Sequence, residues 1–161
     1  MKYCIECLQP DTRPNSKFTN KICPVCNYKK TLSKVNWEER FDILKKIIKP
    51  YRNKKPYNCI IGVSGGKDST RQALWVREKL GLNPLLVCLA YPPEQVTEIG
   101  ADNISNLINL GFDVEIVSIS PQFWKKLLRI GFLEHCNWAK FTEQAIISSV
   151  PRAAIRHKIN L

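Results

Sequence analysis

The chain has 161 residues, a net charge of +11, 44% hydrophobic and 24% charged residues, which is room for one ordinary soluble domain and a small appendage. Every apolar run falls short of the ~20 residues that span a bilayer, and the start, MKYCIEC, lacks the apolar centre of a signal peptide, so no membrane partner and a cytoplasmic location are expected. The charge is uneven: residues 1–57 hold 14 Lys+Arg against 5 Asp+Glu, residues 58–161 hold 11 against 9, and the basic N-terminal excess could draw nucleic acid, nucleotide phosphates or an acidic partner, or be a plain solvated surface.

Residues 1–30 have few large apolar side chains and cannot build a core unaided. Their staple is legible in the cysteines. Cys4-x2-Cys7 and Cys23-x2-Cys26 form two CxxC pairs fifteen residues apart, so that two tight turns offer four thiolates to one ion. Four sulfurs leave no open position, so the site is a closed, structural Zn²⁺ ribbon; an iron–sulfur cluster is the other use of four cysteines. Of the remaining three, Cys59 and Cys88 lie in apolar strands as small buried hydrophobes, and Cys136 sits beside His135 in a polar loop, with packing favoured over reactivity.

Residues 31–57 read as a helix and a basic linker. Asn36 can cap a helix over 36–49, with Glu39 three residues on and Trp37, Phe41, Leu44 and Ile48 on one face. Pro50 stops it, and YRNKKPY (51–57) connects.

From residue 58 the pattern alternates: a strand at NCIIGV, a helix over 68–80 ended by Gly81, a strand at NPLLVCLA, a helix over 93–111, a strand at FDVEIVSI, a helix over 121–134 and helix on both sides of Pro151. Alternation at these lengths predicts an α/β domain over 58–161, a parallel sheet with helices on both faces. Three parallel strands make a thin sheet, and KINL falls where a fourth would follow, so a truncated domain is expected.

Between the first strand and its helix stands Ser64-Gly65-Gly66-Lys67-Asp68-Ser69. Unpaired N–H groups at a helix start attract anions, and glycines let a phosphate approach the backbone. Lys67 adds a full charge, Ser64 and Ser69 can donate to phosphate oxygens, and Asp68 can hold Mg²⁺. The loop is not the Walker form, which needs GxxxxGK[ST]. Ligands of open α/β sheets lie outside the carboxyl ends of the strands, so Leu89, Ala90 and Tyr91 are candidates for backbone contact with a base.

SGGKDS in this strand–turn–helix setting resembles the pyrophosphate loop of the PP-loop ATP pyrophosphatase superfamily, a Rossmann-like, adenine nucleotide alpha hydrolase-like fold. The resemblance implies that ATP is cut between its α and β phosphates, with Lys67 and Asp68 the catalytic pair. Taken in order, YCIECLQPDTRP, CPVC, NWEERFDIL, YNCIIGVSGGKDS, TEIGADNISNLINLGFD and PRAAIRHKINL resemble the N-terminal part of the N-acetyl sugar amidotransferase family, which serves surface-polysaccharide and nonulosonic acid pathways. That resemblance implies an N-acetyl amide on a nucleotide-linked sugar, adenylated at oxygen and then displaced by ammonia from glutaminase and cyclase-like partners. It adds Thr97, Gly100 and Asn103 as ATP-site residues, with helix capping and packing an equal account of them. Arg152 and Arg156 could meet sugar-nucleotide phosphates, or be a solvated helix face.

Two rivals stand beside this reading. A tRNA-thiolating enzyme also joins CxxC pairs to this loop, and the basic segment would suit RNA phosphates; Cys136, with no partner cysteine at CxxC spacing, speaks against it, which leaves nucleic acid the less favoured partner. A non-catalytic nucleotide- and zinc-binding module is the second.

Overall fold

A computed structural model of the chain describes every residue except Ser33, Lys54 and Lys55; the last two, part of the expected connector, lie outside the described residues. The chain forms two compact units, residues 1–46 and 47–161.

In the first unit, Tyr3 and Pro10 bridge antiparallel around the first cysteine pair, and Thr19 and Ile22 do so ahead of the second. Thr19 and Ile22 exchange both backbone hydrogen bonds at 3.0 Å around Asn20 and Lys21, whose φ angles are 52° and 62°. Two successive positive φ values are what a two-residue hairpin loop of matching twist requires. The hairpin delivers Cys23 to the start of helix α1 (Pro24–Leu32), where Pro24 occupies the first helical position at no hydrogen-bond cost. Helix α2 (Trp37–Ile48), whose last two residues belong to the second unit, is capped as its sequence predicts: the Glu39 N–H donates to Asn36 Oδ1 at 3.1 Å.

In the second unit the elements are β1 (Cys59–Gly62), α3 (Lys67–Leu80), β2 (Pro84–Ala90), α4 (Glu98–Asn109), β3 (Val114–Ser118), α5 (Pro121–His135) and α6 (Lys140–His157). The strands form one parallel sheet in the order β1-β2-β3. β2 is central, and its continuous run PLLVCLA is what burial on both faces demands. Alternate residues serve opposite faces. Leu86 and Cys88 join Ile61, Ala73 of α3 and Leu107 of α4 in one cluster, while Leu85 and Val87 join Ala153 of α6 and Ile159 in the other. Each fully buried leucine contributes about 1.5–3 kcal/mol relative to exposure.

Gly81 ends α3 in the left-handed region, φ 64°, as expected of a C-terminal glycine. Beyond α6 the backbone reaches the margin of the sheet, where the Ile60 N–H donates to the Leu161 carbonyl at 2.9 Å.

Two elements differ from the sequence reading. The helix expected from residue 93 starts at Glu98 instead. Pro93–Gln95 close a single 3₁₀ turn, Val96 is extended, and Thr97 restarts the chain as the cap of α4. Pro151, expected to divide two helical stretches, sits inside one continuous helix, which gives up one backbone hydrogen bond there. Among the described residues no helix is long and apolar enough to cross a membrane.

Candidate functional site

The sheet turns its carboxyl ends toward the loop 64–69. Gly66, with φ −70° and ψ 168°, is the residue before α3, and no side chain caps the helix. The first-turn N–H groups therefore keep their anion-attracting character. The loop holds its shape through its own hydroxyls. Ser69 Oγ donates to the Gly66 carbonyl at 3.1 Å, the Ser64 N–H donates to Ser69 Oγ at 3.4 Å, and Thr70 Oγ1 donates to the Gly65 carbonyl at 3.2 Å. Gly65 adopts φ 74°. Lys67 and Asp68 are exposed at the helix start. One carboxylate is a sufficient protein ligand for Mg²⁺ when phosphates supply the rest.

A cavity of about 880 Å³ opens beside this loop, within the range of small-molecule sites. Its wall brings together Ser64, Ser69, Leu89, Ala90, Thr97 and Gly100, six of the residues singled out from the sequence. Gly65, Gly66, Lys67, Asp68 and Asn103 lie outside that wall. Asn103 instead backs the loop: a Cβ on Gly65 would stand 2.7 Å from its backbone carbonyl. Thr97 and Gly100 are engaged in capping, since Thr97 Oγ1 accepts from the Gly100 N–H at 3.1 Å. Tyr91 also lines the cavity and meets the Trp124 ring edge-on at 5.5 Å.

Much of the wall went unforeseen. Ile104 and Ile108 of α4, Ile116 of β3 and Ile146 and Val150 of α6 give it an apolar flank. Ile104 and Val150 also pack against the core clusters, but Ile108, Ile116 and Ile146 belong to neither and are exposed, and that surplus was the available signal. Thr70 was likewise missed as a brace of the loop, although it directly follows the motif.

Arg152 and Arg156 do not reach the large cavity. They line a second one of about 480 Å³ on the α6 side, which meets the first at Leu89 and Ser149. Arg156 pairs with Glu115 at 2.7 Å. Cys136 is the left-handed residue that ends α5, φ 49°, and is exposed. Burial pushes the Cys59 thiol up to about 11 and raises Cys88, in keeping with inert packing roles.

The four remaining cysteines converge. All four Sγ atoms lie within 4.8 Å of one another, and Cys7 and Cys23 are 3.6 Å apart. Thiolates each 2.3 Å from a common zinc stand roughly 3.8 Å apart in a tetrahedron, so the set fits one ion. Cys4 and Cys23 are buried, and Cys7 is exposed. The Cys23 N–H donates to Cys4 Sγ at 3.3 Å, and the Cys26 N–H to Cys23 Sγ at 3.4 Å. Burial opposes ionisation of Cys4, but backbone N–H groups of Cys23, Glu6 and Cys7 outweigh it and bring the thiol down to about 6. Cys26 is pushed up by the Cys7 sulfur and by burial.

No protein-family model matches the chain, and no curated protein matches it. Among solved structures, a predicted subunit of tRNA methyltransferase from Methanocaldococcus jannaschii is similar at 26% identity over 48% of this chain and 37% of that one, with a TM-score of 0.35. NMN synthetase from Francisella tularensis is similar at 23% identity over 57% of this chain and 38% of that one, with a TM-score of 0.37. The chain thus spans under two-fifths of either neighbour's length. What its own residues define is an α/β protein, a parallel sheet covered on both faces. Ahead of it stands a small unit whose four cysteines fit a metal ion.

Proposed function

We propose that this chain is the ATP-binding portion of a PP-loop ATP pyrophosphatase that forms AMP, and that it works as an amidotransferase on a nucleotide-linked N-acetyl sugar. The observation that carries the ATP reading is the open start of α3: SGGKDS at the carboxyl end of β1, with no side-chain cap, beside a cavity large enough for a nucleotide. The amide oxygen of the acceptor attacks the α-phosphorus of ATP, the bond from that phosphorus to the bridging oxygen of the β-phosphate breaks, and pyrophosphate leaves into the loop. Lys67 and the helix N–H groups stabilise the charge that develops there, and Asp68 would hold a Mg²⁺ that neutralises the phosphates. Ammonia, supplied by glutaminase and cyclase-like subunits, then adds to the activated carbon. AMP departs, and loss of a proton leaves the acetamidine.

The sugar acceptor rests on the ordered segment resemblance, from YCIEC to PRAAIRHKINL. Zn²⁺ held by Cys4, Cys7, Cys23 and Cys26 is structural in this reading. ATP turnover and reduced thiols together suit the cytoplasm. The test is AMP release by the full gene product with ATP, Mg²⁺ and ammonium. One reaction receives nucleotide-linked N-acetyl sugars, the other unmodified tRNA and a sulfur donor. AMP that depends on the sugar is the expected result. AMP only with tRNA transfers the chain to the thiolating enzymes, and AMP in neither makes it a nucleotide- and zinc-binding module.

A further inference from the structure

The cavity on the α6 side has no role in the ATP reading. It is lined by Arg152 and Arg156 with Ser118 at the end of β3. Arg152 and Arg156 are four residues apart, hence on one face of α6. The serines of the same helix do not lead: Ser148 Oγ donates to the Ala145 carbonyl at 3.2 Å and Ser149 Oγ to the Ile146 carbonyl at 2.8 Å. The acid paired with Arg156 is shared with a second basic side chain. Glu115 meets Arg156 through one oxygen at 2.7 Å and His157 through the other at 2.5 Å. Arg152 lines the cavity, is exposed and has no ion pair among the described residues. Arg156, with five N–H donors, keeps others beyond the one turned to Glu115.

We propose that this cavity is the diphosphate subsite of the acceptor, with Arg152 its principal ligand. The acceptor it fits is one that carries its reacting group beyond a phosphoanhydride, as a nucleotide-linked sugar does. A guanidinium offers phosphate two parallel N–H donors. The subsite shares Leu89 and Ser149 with the larger cavity, so an acceptor anchored here presents its far end to the bound nucleotide across that boundary. The inference deepens the reading proposed above and takes from it the identity of the neighbouring ligand.

The experiment titrates UDP, GDP and CDP into the full chain saturated with AMP-PNP, with the matching nucleosides as controls. At least one diphosphate is expected to bind without displacing AMP-PNP, its nucleoside not to bind, and Arg152→Ala to weaken the diphosphate at least tenfold while AMP-PNP affinity stays within twofold. Arg152 is exposed, so the variant retains its fold, checked by circular dichroism. Displacement of AMP-PNP by every diphosphate, an equal loss of AMP-PNP affinity in Arg152→Ala, or no diphosphate binding at all would each overturn the subsite. Arg152-dependent diphosphate binding by a chain that does not bind AMP-PNP would sink the ATP reading and leave the subsite standing.

Discussion

Gly65 and Asn103 stand so close that no side chain fits between them: a Cβ on Gly65 would lie 2.7 Å from both the carbonyl carbon and the oxygen of Asn103. The neighbour is backbone, which cannot swing aside, and φ at Gly65 is +74°. The anion loop is thereby seated on α4, and its shape depends on a helix more than thirty residues away in sequence.

Gly65→Ala is therefore expected to cost at least the ~1–3 kcal/mol of a strained backbone and to abolish tight AMP-PNP binding. Gly81→Ala is its control. Gly81 has φ +64° but nothing within 4 Å of an added Cβ, so it should lose about 1–2 kcal/mol from backbone strain alone and bind AMP-PNP normally. Thermal unfolding and nucleotide titration of the two variants check both statements.

Asp68 and Cys88 separate chemistry from packing. Asp68 is exposed in the first turn of α3, where a carboxylate adds about 0.3–1 kcal/mol through the helix dipole. Asp68→Ala should stay folded yet lose AMP formation about 100-fold or more, the scale of a lost electrostatic contact to the transition state. Cys88 is buried in the core cluster and also borders the large cavity; Cys88→Ala should cost about 0.5–1.5 kcal/mol, as for other single-group core deletions, and, because it removes only one sulfur from that wall, leave AMP formation intact once folded. A folded Cys88→Ala protein that makes no AMP would overturn the core assignment.

The cysteine cluster predicts a metal dependence confined to one unit. Zinc binds thiolates, so protons compete with it. Cys4 is held down to about 6, but Cys26 is pushed up by Cys7 and by burial, so zinc affinity should fall as pH falls. A chelator is expected to unfold residues 1–30 and expose four reactive thiols, while AMP-PNP affinity at 64–69 is retained. ATP affinity that declines in step with zinc loss would contradict this.

Cys59 gives the second unit an alkaline limit. Its thiol is raised from 9.0 to about 11 by burial. Between these values the unfolded chain ionises and the folded one does not, so the unfolded state binds fewer protons and stability falls with rising pH. The contribution is complete below pH 9 and is lost as pH climbs toward 11. Cys59→Ala should flatten that part of the stability profile, seen as a smaller drop in Tm between pH 9 and 11 than in the parent.

What the sequence made legible was local. PLLVCLA declares a strand buried on both faces, Gly81 marks the end of α3, Asn36 caps α2, and the paired CxxC spacing foretells a cluster whose sulfurs do converge. The anion loop was readable because six neighbouring residues carry it. The rest depends on contacts between distant segments. Nothing near Gly65 announces Asn103, and nothing near Gly62 announces Val150, whose Cγ2 would lie 2.8 Å from an added Cβ. The late start of α4 was hidden for a different reason. Glu94 and Gln95 continue a helical pattern in composition, but Pro92 and Pro93 set a 3₁₀ turn and an extended Val96 ahead of the cap.

The Tyr91–Trp124 ring pair has a spectroscopic consequence. Of the four tryptophans, Trp37 and Trp138 are exposed, Trp75 is half-buried, and Trp124 alone is buried, at 2% exposure. Its indole therefore emits at shorter wavelength than the solvated ones. The only aromatic ring paired with it among the described residues is Tyr91, which faces the large cavity. Filling that cavity is expected to change the field and the quenching at Tyr91's edge, which would make the blue side of the emission spectrum a label-free gauge of occupancy, built into the chain.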